Sequence, residues 1–160
     1  MSELTHFDKD GRAIMVDVTE KNETKRAAIA SGFIALSKAT LDLVENKSAA
    51  KGDVIAVAEI AGIMGAKKTS ELIPLCHPLS LSNVSVSINI DHKKQGLEVI
   101  SEARITGKTG VEMEALTSVS VTLLTLYDML KASDKSMVIS DIKLLKKTGG
   151  KSGDWAFGDA

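Results

Sequence analysis

Two neighbouring segments of the chain alternate polar and apolar side chains, and they constrain the fold more than any other feature. Residues 83–90 read Asn-Val-Ser-Val-Ser-Ile-Asn-Ile, and a similar alternation returns over residues 97–105. Successive side chains of a β-strand point to opposite faces of the sheet, so this pattern predicts two strands. The polar residues 91–96 then form the loop of a hairpin between them.

Further helices and strands are predicted on both sides of this hairpin. Ser37 and Asp53 are suitable N-caps because their side-chain oxygens can accept a hydrogen bond from the first helical turn. The remaining predicted elements are, in chain order, a candidate short strand at 13–18, a strand at 25–36, helices at 38–45, 54–67 and 111–131, and a strand at 138–145.

This order of elements predicts an α+β fold of the ferredoxin-like class. The class has a four-stranded antiparallel sheet with helices packed on one face, and this chain adds an extra helix in the first crossover. A length of 160 residues is enough for one domain with its own core. We therefore expect a single domain over 1–160, with 1–23 and 148–160 as flexible terminal segments.

The long helix at 111–131 is apolar nearly all round. Val119, Leu123 and Leu126 form one stripe, while Leu124 and Tyr127 lie on another side. Such a helix needs cover on two sides, of which the sheet supplies one. The other cover is either the additional helices or a second subunit, and we expect a homo-oligomer.

The composition excludes several classes of partner. The formal net charge is −1 and aromatic residues make up 3% of the chain, so neither a general electrostatic field nor stacking platforms for nucleic acid are expected. No apolar run is long enough to span a membrane, and the first residues do not resemble a signal peptide. The single cysteine fits a reducing cytoplasm.

A proline-rich segment holds the most unusual residues of the sequence. Both prolines of the chain, its only cysteine and one of its three histidines fall within residues 74–78. Because a proline restricts the residue before it, Leu75, Cys76 and His77 should form a short stiff loop. This loop is either a structural turn with a buried thiol or a device that holds the imidazole in place.

The long helix carries the main candidates for acid–base chemistry. Asp128 and Lys131 lie three residues apart in surroundings that look too apolar for an ordinary solvated face, although the simpler interpretation is an exposed ion pair. Glu112 and Glu114 lie in the first turn, where acids also favour the helix dipole.

Two other kinds of motif are incomplete. Gly107-Lys108-Thr109 and Gly150-Lys151-Ser152 resemble the end of a P-loop, but both lack its first glycine. Cys76 and His77 lack companion ligands at a workable spacing, so no metal site is expected.

Five segments together closely resemble the cyclic pyranopterin monophosphate synthase family, the accessory protein C family of molybdenum-cofactor biosynthesis. They are Lys51-Gly-Asp53, Ser70-Glu-Leu-Ile-Pro-Leu-Cys-His-Pro78, Thr106-Gly-Lys-Thr-Gly-Val-Glu-Met-Glu-Ala-Leu-Thr117, Tyr127-Asp-Met129 and Gly149-Gly-Lys-Ser-Gly-Asp154. The resemblance covers nearly the whole chain.

The resemblance implies a lyase that converts 3′,8-cyclo-7,8-dihydroguanosine 5′-triphosphate to cyclic pyranopterin monophosphate and releases pyrophosphate. It implies a homohexamer, built as a trimer of dimers, with the active site at the dimer interface. No redox cofactor is needed, although a divalent ion can accompany the substrate phosphates.

The resemblance also implies roles for individual residues. Asp128 is the expected acid/base, with Lys51 and Lys131 as its basic partners. The expected substrate-binding residues are Leu75, Cys76, His77, Glu112, Met113, Glu114, Arg26 and Lys147, of which Arg26 and Lys147 suit the triphosphate.

Two other functions remain open from the residues alone. A non-catalytic nucleotide-binding or regulatory module would need basic and glycine contacts, but it would not need Asp128 beside Lys131. An RNA-binding ferredoxin-like domain would need aromatic residues on its central strands, and the strand at 83–90 has none.

Overall fold

The computed structural model describes residues 6–49 and 52–158, which fold as an α+β chain. The elements are β1 (Thr24–Ala35), α1 (Lys38–Glu45), α2 (Val54–Lys67), α3 (Thr69–Leu72), β2 (Asn83–Asp91), β3 (Gly96–Gly107), α4 (Glu112–Leu130), β4 (Val138–Thr148) and β5 (Trp155–Ala156). The predicted hairpin is confirmed as β2 and β3, and the predicted long helix is confirmed as α4.

The strands form one antiparallel sheet in the order β2-β3-β1-β4-β5. Within the described residues the sheet has five strands, so the predicted count of four was wrong by one. The extra strand, β5, pairs Ala156 with Lys146 and Trp155 with Lys147. Two residues are too few to display an alternation, which is why the sequence pattern did not indicate this strand.

The core lies between the sheet and α4. Ala30 and Ile34 of β1 and Val99 of β3 are fully buried, as are Leu123 and Leu126 of α4. These strand residues occupy alternate positions, as expected for a sheet with one covered face. The hydrophobic core is therefore on the face of the sheet against which α4 packs, where α4 contacts β1, β3 and β4.

Helix α2 supplies the second cover that α4 was expected to need. It packs along α4, and a Cβ on Gly62 would overlap the hydroxyl of Thr122, so the absence of a side chain lets the two helices approach closely. This cover is incomplete in the single chain, since Leu124 of α4 is 62% exposed.

Both predicted N-caps are present. The side chain of Ser37 accepts a hydrogen bond from Thr40 N, and that of Asp53 accepts one from Ala56 N. The candidate strand at 13–18 is not formed, since Ala13 makes only an isolated bridge to Phe7. The flexibility expected of the terminal segments stays a prediction.

None of the described helices is long and apolar enough to cross a bilayer.

Candidate active site

A cavity of about 280 Å³ lies beside the start of α4 and collects most of the predicted site residues. The proline-rich loop forms part of its wall, and the first turn of α4 forms another part. The predicted residues that line it are Arg26, Leu75, Cys76, His77, Glu112, Met113 and Glu114. Three segments far apart in sequence therefore meet at one cavity. This convergence favours a common functional site over three unrelated surface features.

The proline-rich loop holds His77 in a defined orientation. Ile73, before the first proline, is extended with φ −110° and ψ 111°, the conformation that a following proline favours. The Nε2 atom of His77 lies 2.9 Å from the carbonyl oxygen of Val16. Because a carbonyl can only accept, Nε2 carries the proton in this contact and Nδ1 of the neutral ring is left as an acceptor.

Glu114 is the most deeply buried carboxyl group of the cavity. Its residue is 4% exposed, and burial raises its pKa from 4.5 to about 7, with a smaller contribution from the charge of Glu112. The same environment raises the pKa of the Cys76 thiol, through burial first and the charge of Glu114 second. A carboxyl group that titrates near neutral pH can both give and accept a proton, which helix-dipole stabilisation alone does not require.

Arg26 is held by the backbone of the turn that precedes α4. Its Nε donates to the carbonyl oxygen of Gly107 at 3.0 Å, and its Nη2 donates to that of Lys108 at 3.1 Å. Two hydrogen bonds from one planar guanidinium fix its orientation as well as its position. Arg26 therefore presents a preorganised positive charge to the cavity.

Lys147 lies next to this cavity rather than in its lining. Its Nζ is 3.3 Å from Oε1 of Glu112 and donates to Oγ of Ser152 at 2.8 Å. A second cavity of about 950 Å³ adjoins it, and that cavity is lined by Lys21, Arg26, Lys151 and Ser152 among others. Because Lys21 and Arg26 line both cavities, the two spaces share a positively charged border.

Sequence reasoning missed three residues of this region. Lys21 carried no recognisable motif, and Ser152 was considered only as part of an incomplete P-loop. Lys108 was set aside for the same reason, yet it lines the smaller cavity and its Nζ donates to Thr19 O at 2.7 Å. The clustering of lysines near the two glycine-rich segments was the only available signal.

Asp128 and Lys131 lie at the opposite end of α4. Asp128 is about four turns and about 21 Å along the helix axis from Glu114, so one chain does not bring the pair to the cavity. The carboxylate Oδ1 lies 2.6 Å from Lys131 Nζ, and this contact raises the pKa of Lys131. Lys51 lies outside the described residues.

The pair is also more exposed than its apolar sequence neighbours suggested. The side chain of Lys131 is 54% exposed and that of Asp128 is 59% exposed. The expectation of apolar surroundings was therefore wrong for the single chain, since Leu123 and Leu126 turn towards the core while this pair does not. Leu124, one turn before Asp128, shares its exposed side.

Comparison with known proteins gives a consistent result over nearly the whole chain. The MoaC family model matches residues 15–150. A protein of Clostridium botulinum named cyclic pyranopterin monophosphate synthase is 57% identical over 96% of this chain and 97% of its own. Proteins with the same name from Heliobacterium modesticaldum and Brucella ovis are each 56% identical, over 97% and 98% of this chain and 98% and 94% of theirs. The family resemblance of the five segments is thus confirmed, and the chain belongs to the MoaC family.

Proposed function

We propose that the protein is the lyase that converts 3′,8-cyclo-7,8-dihydroguanosine 5′-triphosphate to cyclic pyranopterin monophosphate and pyrophosphate in molybdenum-cofactor biosynthesis. Membership of the family supports the reaction class. The observation that carries the proposal is the cavity beside α4, where titratable groups and fixed positive charges line one space. A binding module would need the charges but would have no use for the buried Glu114.

The reaction needs both proton transfers and stabilisation of negative charge, and the site offers titratable groups for the first and cationic side chains for the second. Rebuilding the purine part into a pyranopterin requires several proton transfers, for which His77 and Glu114 are suitable donors and acceptors. Closing the cyclic phosphate forms a bond from a substrate hydroxyl oxygen to the α-phosphorus and breaks the bond to the bridging oxygen, so that pyrophosphate leaves. Arg26 and Lys147 are suited to stabilise the negative charge that develops on it.

The complete site contains residues of two subunits. Asp128 and Lys131 cannot reach the cavity of their own chain, because about 21 Å of helix separates Asp128 from Glu114. A neighbouring copy supplies Asp128 as the acid/base together with its partner Lys131, whereas Lys51, the second expected basic partner, lies outside the described residues. The exposed apolar side chain of Leu124, one turn before Asp128, supports an interface at this end of α4. Ile60 and Met64 on α2 are also exposed, which supports burial of apolar surface between copies in a homohexamer built as a trimer of dimers.

Subunit mixing tests this arrangement. His77→Ala damages one half of the site and Asp128→Ala the other, so each homo-oligomer should be inactive. In hexamers co-expressed from both variants, about a quarter of the sites combine two intact halves, and activity should return to about that fraction of wild type. Co-expression of Asp128→Ala with Lys131→Ala is the matched control, because both changes damage the same half. A His77/Asp128 mixture as inactive as its parents would contradict a shared site.

Product analysis tests the reaction itself. Purified protein incubated with the cyclic dihydroguanosine triphosphate should form cyclic pyranopterin monophosphate and pyrophosphate in equal amounts, measured by mass spectrometry and a pyrophosphate assay. Recovery of the substrate bound but unchanged would instead support the nucleotide-binding module.

The proposal extends to the fold class, the cellular location and the ligands of the enzyme. The order β2-β3-β1-β4 of the four long strands, with α4 between β3 and β4, supports the ferredoxin-like class. The enzyme works in the cytoplasm, which suits its single cysteine. It holds no resident cofactor, and any divalent ion arrives with the substrate phosphates. Its ligands are small molecules, not nucleic acid or membranes.

A further inference from the structure

The ammonium group of Lys147 contacts two side chains, one a negatively charged carboxylate and the other a neutral hydroxyl. Glu112 Oε1 lies 3.3 Å from Nζ, and Ser152 Oγ accepts a hydrogen bond from Nζ at 2.8 Å. The side chain of Lys147 is 25% exposed, so most of it is enclosed. If the carboxylate of Glu112 were its only partner, the flexible side chain of Lys147 could adopt several orientations around it. The hydroxyl of Ser152 is a second partner, and two partners together restrict the position of the ammonium group.

The loop that carries Ser152 does not depend on this hydroxyl for its shape. Gly149 N donates to Oδ1 of Asp154 at 2.9 Å, and Gly153 N donates to Gly150 O at 3.2 Å. Gly149, Gly150 and Gly153 have φ values of 82°, 82° and 71°, which glycine adopts without the penalty that a side chain brings. One backbone hydrogen bond and the carboxylate of Asp154 therefore close the loop, and the hydroxyl of Ser152 remains available for Lys147.

The pairing of β5 with β4 places this loop over Lys147. Trp155 pairs with Lys147 itself, so the chain between the two strands turns back next to the lysine. Ser152 also lines the larger cavity, on the same border as Arg26 and Lys151. Lys147 and its hydroxyl partner therefore lie beside the cavity border that Arg26 and Lys151 line.

We propose that Ser152 is a positioning residue that directs the ammonium group of Lys147 towards the substrate's polyphosphate. It does so by accepting one hydrogen bond from Nζ, which leaves the other N–H groups to Glu112 and to the phosphate oxygens. This inference rests on the proposed function of the site, in which Lys147 binds the triphosphate and the departing pyrophosphate. Ser152 itself does not take part in bond making.

Substitution of Ser152 tests the proposal. Ser152→Ala should raise both the KM for the substrate and the Kd for inorganic pyrophosphate by about tenfold, because a hydrogen bond to a charged group is lost. The kcat should fall less than the KM rises, because Lys147 contacts the phosphates of the bound substrate as well as the departing pyrophosphate. Ser152→Thr retains the hydroxyl and should restore both constants. If the loop needed only a small side chain at this position, Ser152→Ala would bind as the wild type does. Ser140→Ala is the matched control, because it removes a hydroxyl from β4, outside the loop that carries Ser152.

A double-variant cycle separates failure of this inference from failure of the proposed function. In a Lys147→Ala background, Ser152→Ala should have no further effect on the Kd for pyrophosphate, because the group it positions is gone. If Lys147→Ala weakens binding while Ser152→Ala behaves as wild type, the positioning role is wrong and the proposed function stands. If Lys147→Ala itself binds pyrophosphate as wild type does, both the phosphate role of Lys147 and this inference are overturned. Calorimetric binding of pyrophosphate requires no turnover, so it is informative in every variant.

Discussion

Gly150 lies directly against the guanidinium group of Arg26, so that a Cβ built on Gly150 would overlap the Nη1 atom. The guanidinium cannot move aside freely, because its Nε and Nη2 are bonded to the carbonyl oxygens of Gly107 and Lys108. The glycine therefore provides the space in which Arg26 keeps its orientation.

Gly150→Ala should accordingly weaken substrate binding as well as the fold. The new methyl group displaces Arg26, and we expect the KM to rise by about tenfold through loss of a hydrogen bond to a charged group. A left-handed backbone also costs an alanine about 1–2 kcal/mol of stability. Steady-state kinetics and thermal unfolding separate the two effects.

Gly158→Ala is the control for this prediction. Gly158 has a positive φ of 96°, and a Cβ there would meet nothing within 4 Å. It should show the loss of stability without the rise in KM. Equal KM values for both variants would mean that the space beside Arg26 does not matter for binding.

Asp128→Ala should abolish turnover without affecting the fold. Exposed ion pairs contribute about 0–1 kcal/mol to stability, and the side chain of Asp128 is 59% exposed in the single chain. Loss of a general acid or base should lower kcat by at least about a hundredfold. Asp42→Ala, which breaks the exposed pair with Lys38 on α1, should leave kcat unchanged. Folded Asp128→Ala protein with wild-type turnover would identify the pair as an ordinary surface contact.

Glu114 should make the stability of the protein depend on pH. Its folded-state pKa of about 7 lies above the ordinary value of 4.5, so the folded protein holds this proton more tightly than the unfolded chain does. The resulting stabilisation is complete below pH 4.5 and is lost as the pH rises through 7. Over that window the wild type should lose about 3 kcal/mol relative to Glu114→Gln, which cannot ionise.

Thermal unfolding between about pH 3.5 and about pH 8, one unit beyond each end of the titration, measures this difference. Glu23→Gln, at an exposed position, controls for the removal of a carboxylate. Parallel pH profiles of the wild type and Glu114→Gln would show that Glu114 ionises as readily in the folded protein as in the unfolded chain.

The contact between His77 and Val16 predicts one tautomer of the imidazole. The carbonyl oxygen of Val16 lies 2.9 Å from Nε2, so the neutral ring should carry its proton there and leave Nδ1 unprotonated. The ¹⁵N spectra of histidine-labelled protein distinguish the two nitrogens. His92, whose side chain is 64% exposed, serves as an internal reference. A neutral His77 protonated on Nδ1 would contradict the predicted orientation.

We expect the purified protein to contain no tightly bound zinc. Among the described residues, no group of three or more potential ligands is placed to hold a metal ion. Elemental analysis after gel filtration should give well below one zinc per chain, and treatment with a chelator should leave the Tm unchanged. One zinc per chain, with a lower Tm after chelation, would reverse this expectation.

Short-range patterns predicted most of the elements because their physical causes are local. The alternation at 83–90 and 97–105 corresponds to β2 and β3, and the predicted helix at 38–45 coincides with α1. Side-chain direction in a strand and capping in a helix depend on residues only a few positions apart. The short elements α3 and β5 were missed because neither is long enough to display a period.

The expected site residues came from the family resemblance, which did not indicate how they lie relative to one another in the fold. The motifs named Arg26, His77 and Glu114 without indicating that burial raises the pKa of Glu114. They also named Asp128 without indicating that it lies exposed at the far end of α4. Helical periodicity reports which residues share a side of a helix, but not what covers that side.

The sequence by itself determined the local elements, the family and the chemical groups available to the site. The tertiary structure decided which of those groups meet. Arg26, His77 and Glu114 come together because β1, the proline-rich loop and α4 converge at one end of the sheet, whereas the length of α4 keeps Asp128 away. The bond between Lys147 and Ser152 likewise exists only because β5 turns back along β4. Such contacts join segments distant in sequence, and their energies depend on burial and distance, which no local pattern of residues records.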